Sequence, residues 1–111
     1  MYQFTEEELA QHLVDGQARL NEVATRVVLS HPPPQGTRLD LTSRGQHVGS
    51  KALREHIEHT HPQLVLCGHI HEGRGSDRLG PTTIVNCGAA AHGWYCLADI
   101  SPELKVEIRQ A

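Results

Sequence analysis

Leu64-Val-Leu-Cys-Gly-His-Ile-His71 decides how this chain reads. Four apolar residues are too few for a helix and suit a buried strand. Gly68 closes the run, and two histidines follow one residue apart. If the backbone stays extended past Gly68, His69 and His71 share a face. Two imidazoles converging at the end of a buried strand offer neutral nitrogen ligands to a divalent metal. The chain holds nine histidines, so the pair alone is weak and needs support from elsewhere in the sequence.

That support lies upstream. Val27-Val-Leu29 reads as a short strand, apolar on both faces, which suits a central strand covered on two sides. It stops at Ser30-His31-Pro32-Pro33-Pro34, where the prolines cannot continue a ladder. His31 therefore holds the same address as His69, just past the end of an apolar strand. Between the two strands Ser50 is a good N-cap. Leu53 and Ile57 then form a helical stripe that ends before Pro62. Strand, helix and strand make a βαβ unit, which favours parallel neighbours and brings His31, His69 and His71 together. Three such nitrogens suit zinc, manganese, iron or cobalt. His56, His59 and His61 lie on the helix or at its end and read as structural or solvated. Gln35 to Gly49 is a long polar excursion without a period, of a length that is often functional or disordered. His47 within it either lines the site or is solvated. With Gly68 and Asn86 it completes a candidate rim.

Outside this core, Thr5-x-x-Glu8 spells a capping box. Leu9, Leu13, Gly16, Leu20 and Val23 then form the stripe of an amphipathic helix of roughly 18 residues ending near Ala24. Gly16, costly in a helix, is read as a mark of close packing. Glu72 to Asp77 reads as a flexible glycine-rich loop, and Thr82 to Val85 as a third strand. Trp94 to Ile100 carries an apolar face of Trp94, Cys96, Ala98 and Ile100. After a turn at Ser101-Pro102-Glu103, Leu104, Val106 and Ile108 alternate with charged residues. The expected class is α/β, in the order α-β-α-β-β-β-β, within a single domain: residues 1–25 the amphipathic helix, 26–111 the motif-bearing core.

The 111 residues carry a net charge of -3 with pI near 6.3, which gives no basic patch for nucleic acid. No apolar run reaches the ~20 residues that span a bilayer. The N-terminus lacks the features of a signal peptide. Cys67, Cys87 and Cys96 are odd in number, form no C-x-x-C pair and sit in apolar runs, as buried thiols in a reducing compartment do. A soluble, cytoplasmic protein is expected.

Taken together, the motifs resemble those of calcineurin-like metallophosphoesterases, the small archaeal and bacterial type. Val28-Leu-Ser-His-Pro-Pro33 is similar to their T-H-x-P-P motif, Gly68-His-Ile-His71 to G-H-x-H, and Val85-Asn-Cys-Gly88 to N-P-G. His47-Val-Gly-Ser50, Leu53-Arg-Glu55 and His71-Glu-Gly73 follow in the same order and spacing. The resemblance runs from about Arg26 to the C-terminus. It implies the C-terminal half of an αββα sandwich and phosphoric ester hydrolysis, including phosphodiesterase activity, at a two-metal centre. By similarity His31 and His69 would hold one ion and His71 the other, with manganese, iron, zinc or cobalt as the metal.

Whole members of the family also carry D-x-H, G-D and G-N-H-D/E motifs, which supply carboxylates, an asparagine and a histidine that assists the leaving group. None occurs in this sequence, whose Asp15 falls in a helix. Three histidines without carboxylates would scarcely hold two close cations. Two readings follow: a phosphoesterase site that is incomplete or weakly active in this chain, or a non-catalytic metal-binding or oligomerising module. An exposed sheet face and edge would favour a homo-oligomer or pairing with a separate N-terminal half. The bland alternative is an α/β fragment with solvated histidines; a thiol enzyme using Cys67 or Cys87 fits poorly.

Overall fold

A computed structural model describes residues 5–20, 25–100 and 103–111. Strands β1 (Val27–Leu29) and β2 (Leu64–Cys67) pair in parallel, with Val27 opposite Leu64 and Leu29 opposite Leu66. Helix α2 (Lys51–Thr60) joins them, so the βαβ unit forms as its pattern dictates. Strand β4 (Thr82–Asn86) adds in parallel on the other side of β2 and sets Asn86 opposite Cys67. Strand β3 (Gly75–Leu79) closes the sheet antiparallel to β4, giving the order β1-β2-β4-β3. Strands β5 (Trp94–Asp99) and β6 (Lys105–Gln110) form a separate antiparallel pair.

The core lies between the sheet and α2. Leu53 and Ile57 of α2 pack with Val65, Cys67, Ile84 and Leu39. Ser50 caps α2 by accepting from the Leu53 N–H at 3.0 Å. His61 ends the helix in a left-handed conformation (φ 48°) and donates its N–H to the Ile57 carbonyl. His59 holds the Glu55 carbonyl through Nδ1 at 2.7 Å, a structural contact as expected. Helix α1 (Glu6–Ala18) packs on α2. Thr5 and Glu8 make the reciprocal capping box at 3.1 and 3.3 Å. Glu6 reaches across to accept from the Ser50 hydroxyl and the Ala52 N–H, each at 2.9 Å. Its carboxylate thereby sits at the positive end of the α2 dipole.

Four expectations are corrected here. Strand β1 is an edge, not a central strand, and Leu29 is 77% exposed. The glycine-rich stretch after Glu72 is no loop beyond Arg74: Gly75–Leu79 is a strand, so one more β element enters the order. Its residues alternate between half-buried and exposed because it covers the sheet's far edge. Helix α1 ends at Ala18 with Arg19 as its C-cap; Asn21 to Ala24 lie outside the described residues, as does the Ser101-Pro102 turn. Gly16 marks no close packing, since a Cβ there would meet nothing within 4 Å. Gly16→Ala should therefore raise stability by about 0.5–1 kcal/mol through helix propensity alone, readable as a higher urea midpoint at unchanged slope.

The polar stretch from Gln35 to Gly49 is built around a buried carboxylate. Asp40 is fully buried and accepts N–H bonds from Gly36, Thr37 and Gly49 at 3.0–3.1 Å. His47 Nδ1 adds a fourth contact at 2.7 Å. Burial alone would raise the Asp40 pKa, but the His47 and backbone hydrogen bonds outweigh it and hold the carboxyl below its ordinary value. Gly49 is required by space, because a Cβ there would meet the Pro33 carbonyl at 2.5 Å.

Candidate metal site

The loops that follow the three parallel strands carry the site. This is the end of an open α/β sheet where ligands collect. Past β1, the Ser30 N–H still donates to Leu66 and the His31 carbonyl accepts from the Gly68 N–H at 3.0 Å. That bond ties the H-P-P turn to the G-H-I-H turn. His31 Nε2 and His69 Nδ1 then stand 2.8 Å apart, with ring centroids 4.5 Å apart. Imidazole nitrogens this close share one proton or one cation. At metal–nitrogen bonds of about 2.1 Å, two cis ligands of an octahedral ion are separated by about 3.0 Å. The pair therefore fits one divalent ion with little movement.

His69 reaches this position through strain. Its φ is +64°, and the Ile70 N–H closes a three-residue turn onto the Gly68 carbonyl at 2.7 Å. A side chain in this backbone region costs of order 1–3 kcal/mol, a cost that concentrates at functional sites. Burial and the neighbouring His31 hold the His69 imidazole below its ordinary pKa, which favours the neutral, ligating form. Gly68 itself needs no special conformation, and a Cβ there would find ordinary contact distance. Deleting the imidazole with and without relief of the backbone separates the two effects. His69→Gly should be about 1 kcal/mol more stable than His69→Ala by thermal melting, while both remove the imidazole.

The strained turn overturns the extended-chain expectation. His71 does not sit beside His69 on one strand face; it opens a 3₁₀ turn, His71–Gly73. Its ring faces His92, with centroids 6.4 Å apart in a T-shaped arrangement. Among the described residues, no three His, Cys, Asp or Glu side chains converge closely enough to hold a metal. The site histidines thus form two pairs. His92 was not singled out from sequence. Its signal was its place, six residues past Asn86 on the loop after the third parallel strand.

Asn86 is a positioning residue. It is fully buried, and its Nδ2 donates to the Leu39 carbonyl at 3.1 Å and the Ile70 carbonyl at 2.8 Å. Its Oδ1 accepts from the Gly88 N–H at 3.1 Å. One side chain thus joins three loops, including the residue between His69 and His71. Gly73 completes this junction, since a Cβ there would run into the Leu39 carbonyl. Gly88 takes a left-handed φ of +86° with the Arg74 side chain above it, and Arg74 stacks 3.6 Å from the centre of the Trp94 ring. His47 is placed by Asp40, and Ser43 in the same loop donates its N–H to Glu72 at 3.3 Å. The thiol reading fails. Burial, then Cys87 and Cys96, pushes the Cys67 thiol up to about 12. Burial and Cys96 do the same for Cys87, also to about 12. Both stay protonated and poorly nucleophilic.

These features match known proteins. Residues 16–111 match the family profile described as metallophosphoesterase, calcineurin superfamily. The uncharacterized protein MJ1162 of Methanocaldococcus jannaschii is 36% identical in an alignment of 88 positions that covers 76% of this chain and 39% of that protein. UPF0046 protein T07D4.2 of Caenorhabditis elegans is 33% identical over 73% of this chain and 18% of its own length. A solved crystal structure with 27% identity superposes with a TM-score of 0.71 over 91% of this chain and 39% of that one. TT1561 of Thermus thermophilus, 21% identical, shares the fold with a TM-score of 0.62 over 92% of this chain and 41% of that one. The chain thus spans about two-fifths or less of the length of the relatives it matches. On its sequence match and its fold, the chain belongs to the calcineurin superfamily of metallophosphoesterases.

Proposed function

We propose that this chain carries the histidine side of a divalent-metal phosphoesterase site, with His31 and His69 on one ion and His71 toward a second. The observation behind this reading is the 2.8 Å approach of His31 Nε2 to His69 Nδ1 across neighbouring parallel strands. Manganese, iron, zinc and cobalt all suit such nitrogen donors. When bound, paired ions lower the pKa of a water and neutralise charge on a phosphoryl group. The chain's own contribution is orientation: the Gly68–His31 bond sets the two loops in register, and Asn86 fixes the turn between the histidines. Carboxylates are needed to offset repulsion between two close cations, and this sequence holds none of the family motifs that carry them. We place them on a polypeptide segment outside these 111 residues. The test is hydrolysis of an aryl phosphodiester with added manganese. The 111-residue chain should give no turnover above metal alone, and robust turnover would overturn the need for outside carboxylates.

A second reading, a module that binds metal or assembles without catalysis, is favoured by the β1 edge and the exposed Leu29. An edge strand that ends in an exposed leucine invites pairing with a second copy or with a separate N-terminal half. Light scattering over a concentration series should show a mass above 12.3 kDa, and a monomer throughout would contradict this pairing.

A further inference from the structure

We propose that His92 is a metal ligand, paired with His71 on the ion that the His31–His69 pair does not hold. This deepens the metal reading above and rests on it. The geometry carries it. His92 ends a 3₁₀ turn, Ala90–His92, on the loop after β4, at the same end of the sheet as the other site histidines. Its ring stands 6.4 Å from that of His71, and both residues are exposed. Two imidazoles on one ion have centroids about 4.6 Å apart when cis and about 6.5 Å apart when trans, given metal–nitrogen bonds of about 2.1 Å. The His31–His69 centroid distance of 4.5 Å lies at the narrow end of that span and the His71–His92 distance at the wide end. Both side chains are exposed, and their spacing is already that of two trans imidazoles on one ion.

That backbone is fixed independently of the ring. The His92 N–H donates to Ala89, and its carbonyl accepts from Gln110 Nε2 at 3.0 Å. His92 therefore presents an imidazole from a turn held at both ends. The pair brings no charge of its own and suits a borderline ion such as zinc or cobalt.

The test is a zinc titration followed by the ring-nitrogen NMR signals of all four histidines, at one neutral pH. The His71 and His92 signals should move together, with one affinity. In His92→Ala, zinc affinity read at His71 should fall at least about tenfold, while that read at His31 and His69 holds. His92→Gln, which keeps size but not the imidazole, should behave like His92→Ala. A thermal melt matching wild type shows that the fold survives. Movement of His31, His69 and His71 with His92 silent overturns the His92 assignment and leaves the metal reading standing. An unchanged His71 affinity in His92→Ala has the same force. Silence of all four overturns both.

Discussion

Asn86→Asp, a change of one side-chain atom, is expected to cost about 3–5 kcal/mol of stability at neutral pH, the scale of an uncompensated buried charge. Asn86 is buried with Nδ2 facing the Leu39 and Ile70 carbonyls. A carboxylate would point negative oxygen at both of them. Asn86→Ala, which empties the site and leaves the Gly88 N–H and the Leu39 and Ile70 carbonyls without this partner but buries no charge, should cost less, about 2–3 kcal/mol. The pH dependence separates the cases. Burial and facing carbonyls would raise the folded pKa of the introduced carboxyl above its unfolded value of about 3.9. Its protonated form is then the one the fold tolerates. The excess penalty of Asn86→Asp over Asn86→Ala is smallest near pH 4 and grows as pH rises. Urea unfolding of both variants across pH measures this, and an equal cost at all pH values would contradict the geometry assigned to Asn86.

The second large effect is at Asp40. Asp40→Ala should cost about 3–5 kcal/mol, because three backbone N–H groups and His47 lose their acceptor together. The sign with pH follows from the direction of the shift. The folded pKa lies below the ordinary 3.8, so folding favours the ionised form. This stabilisation is fully present above the unfolded value and is lost as pH falls through the folded one. Wild type should lose stability on acidification through that range, and the part due to Asp40 should be missing from the acid limb of Asp40→Ala. Matched chemical denaturation curves check it; parallel acid limbs would remove Asp40 from this role.

How much of this was legible depends on how the side chains signal. The short apolar strands, one followed by Ser30-His31-Pro32 and the other by Gly68-His69, put His31 and His69 at the ends of neighbouring strands, because burial forces a short parallel strand to be apolar and the βαβ connection fixes its neighbour. The His69–His71 relation was misread because period-2 logic fails at a left-handed residue, and no residue type in G-H-I-H announces φ of +64°. Strand β3 was missed because Gly75-Ser-Asp-Arg-Leu79 covers an edge and holds one apolar residue; the Gly80-Pro81 turn behind it was the usable signal. Asp40 was illegible for the opposite reason. Pattern reading places aspartate outside, and only the fold brings three N–H groups to a buried one. Asn86 reads from sequence as a rim residue, and its side chain works inside, holding together the loops around His69 and His71.

The central claim is that His31 and His69 form one metal pair. Isothermal titration of zinc into wild type, His31→Ala, His69→Ala and the double variant tests it most directly. Residues that share one ion are strongly non-additive. Each single variant should weaken binding at that site at least about tenfold, and the double should be little worse than either. Binding unchanged by either substitution, or losses that simply add, would contradict a shared ion between them.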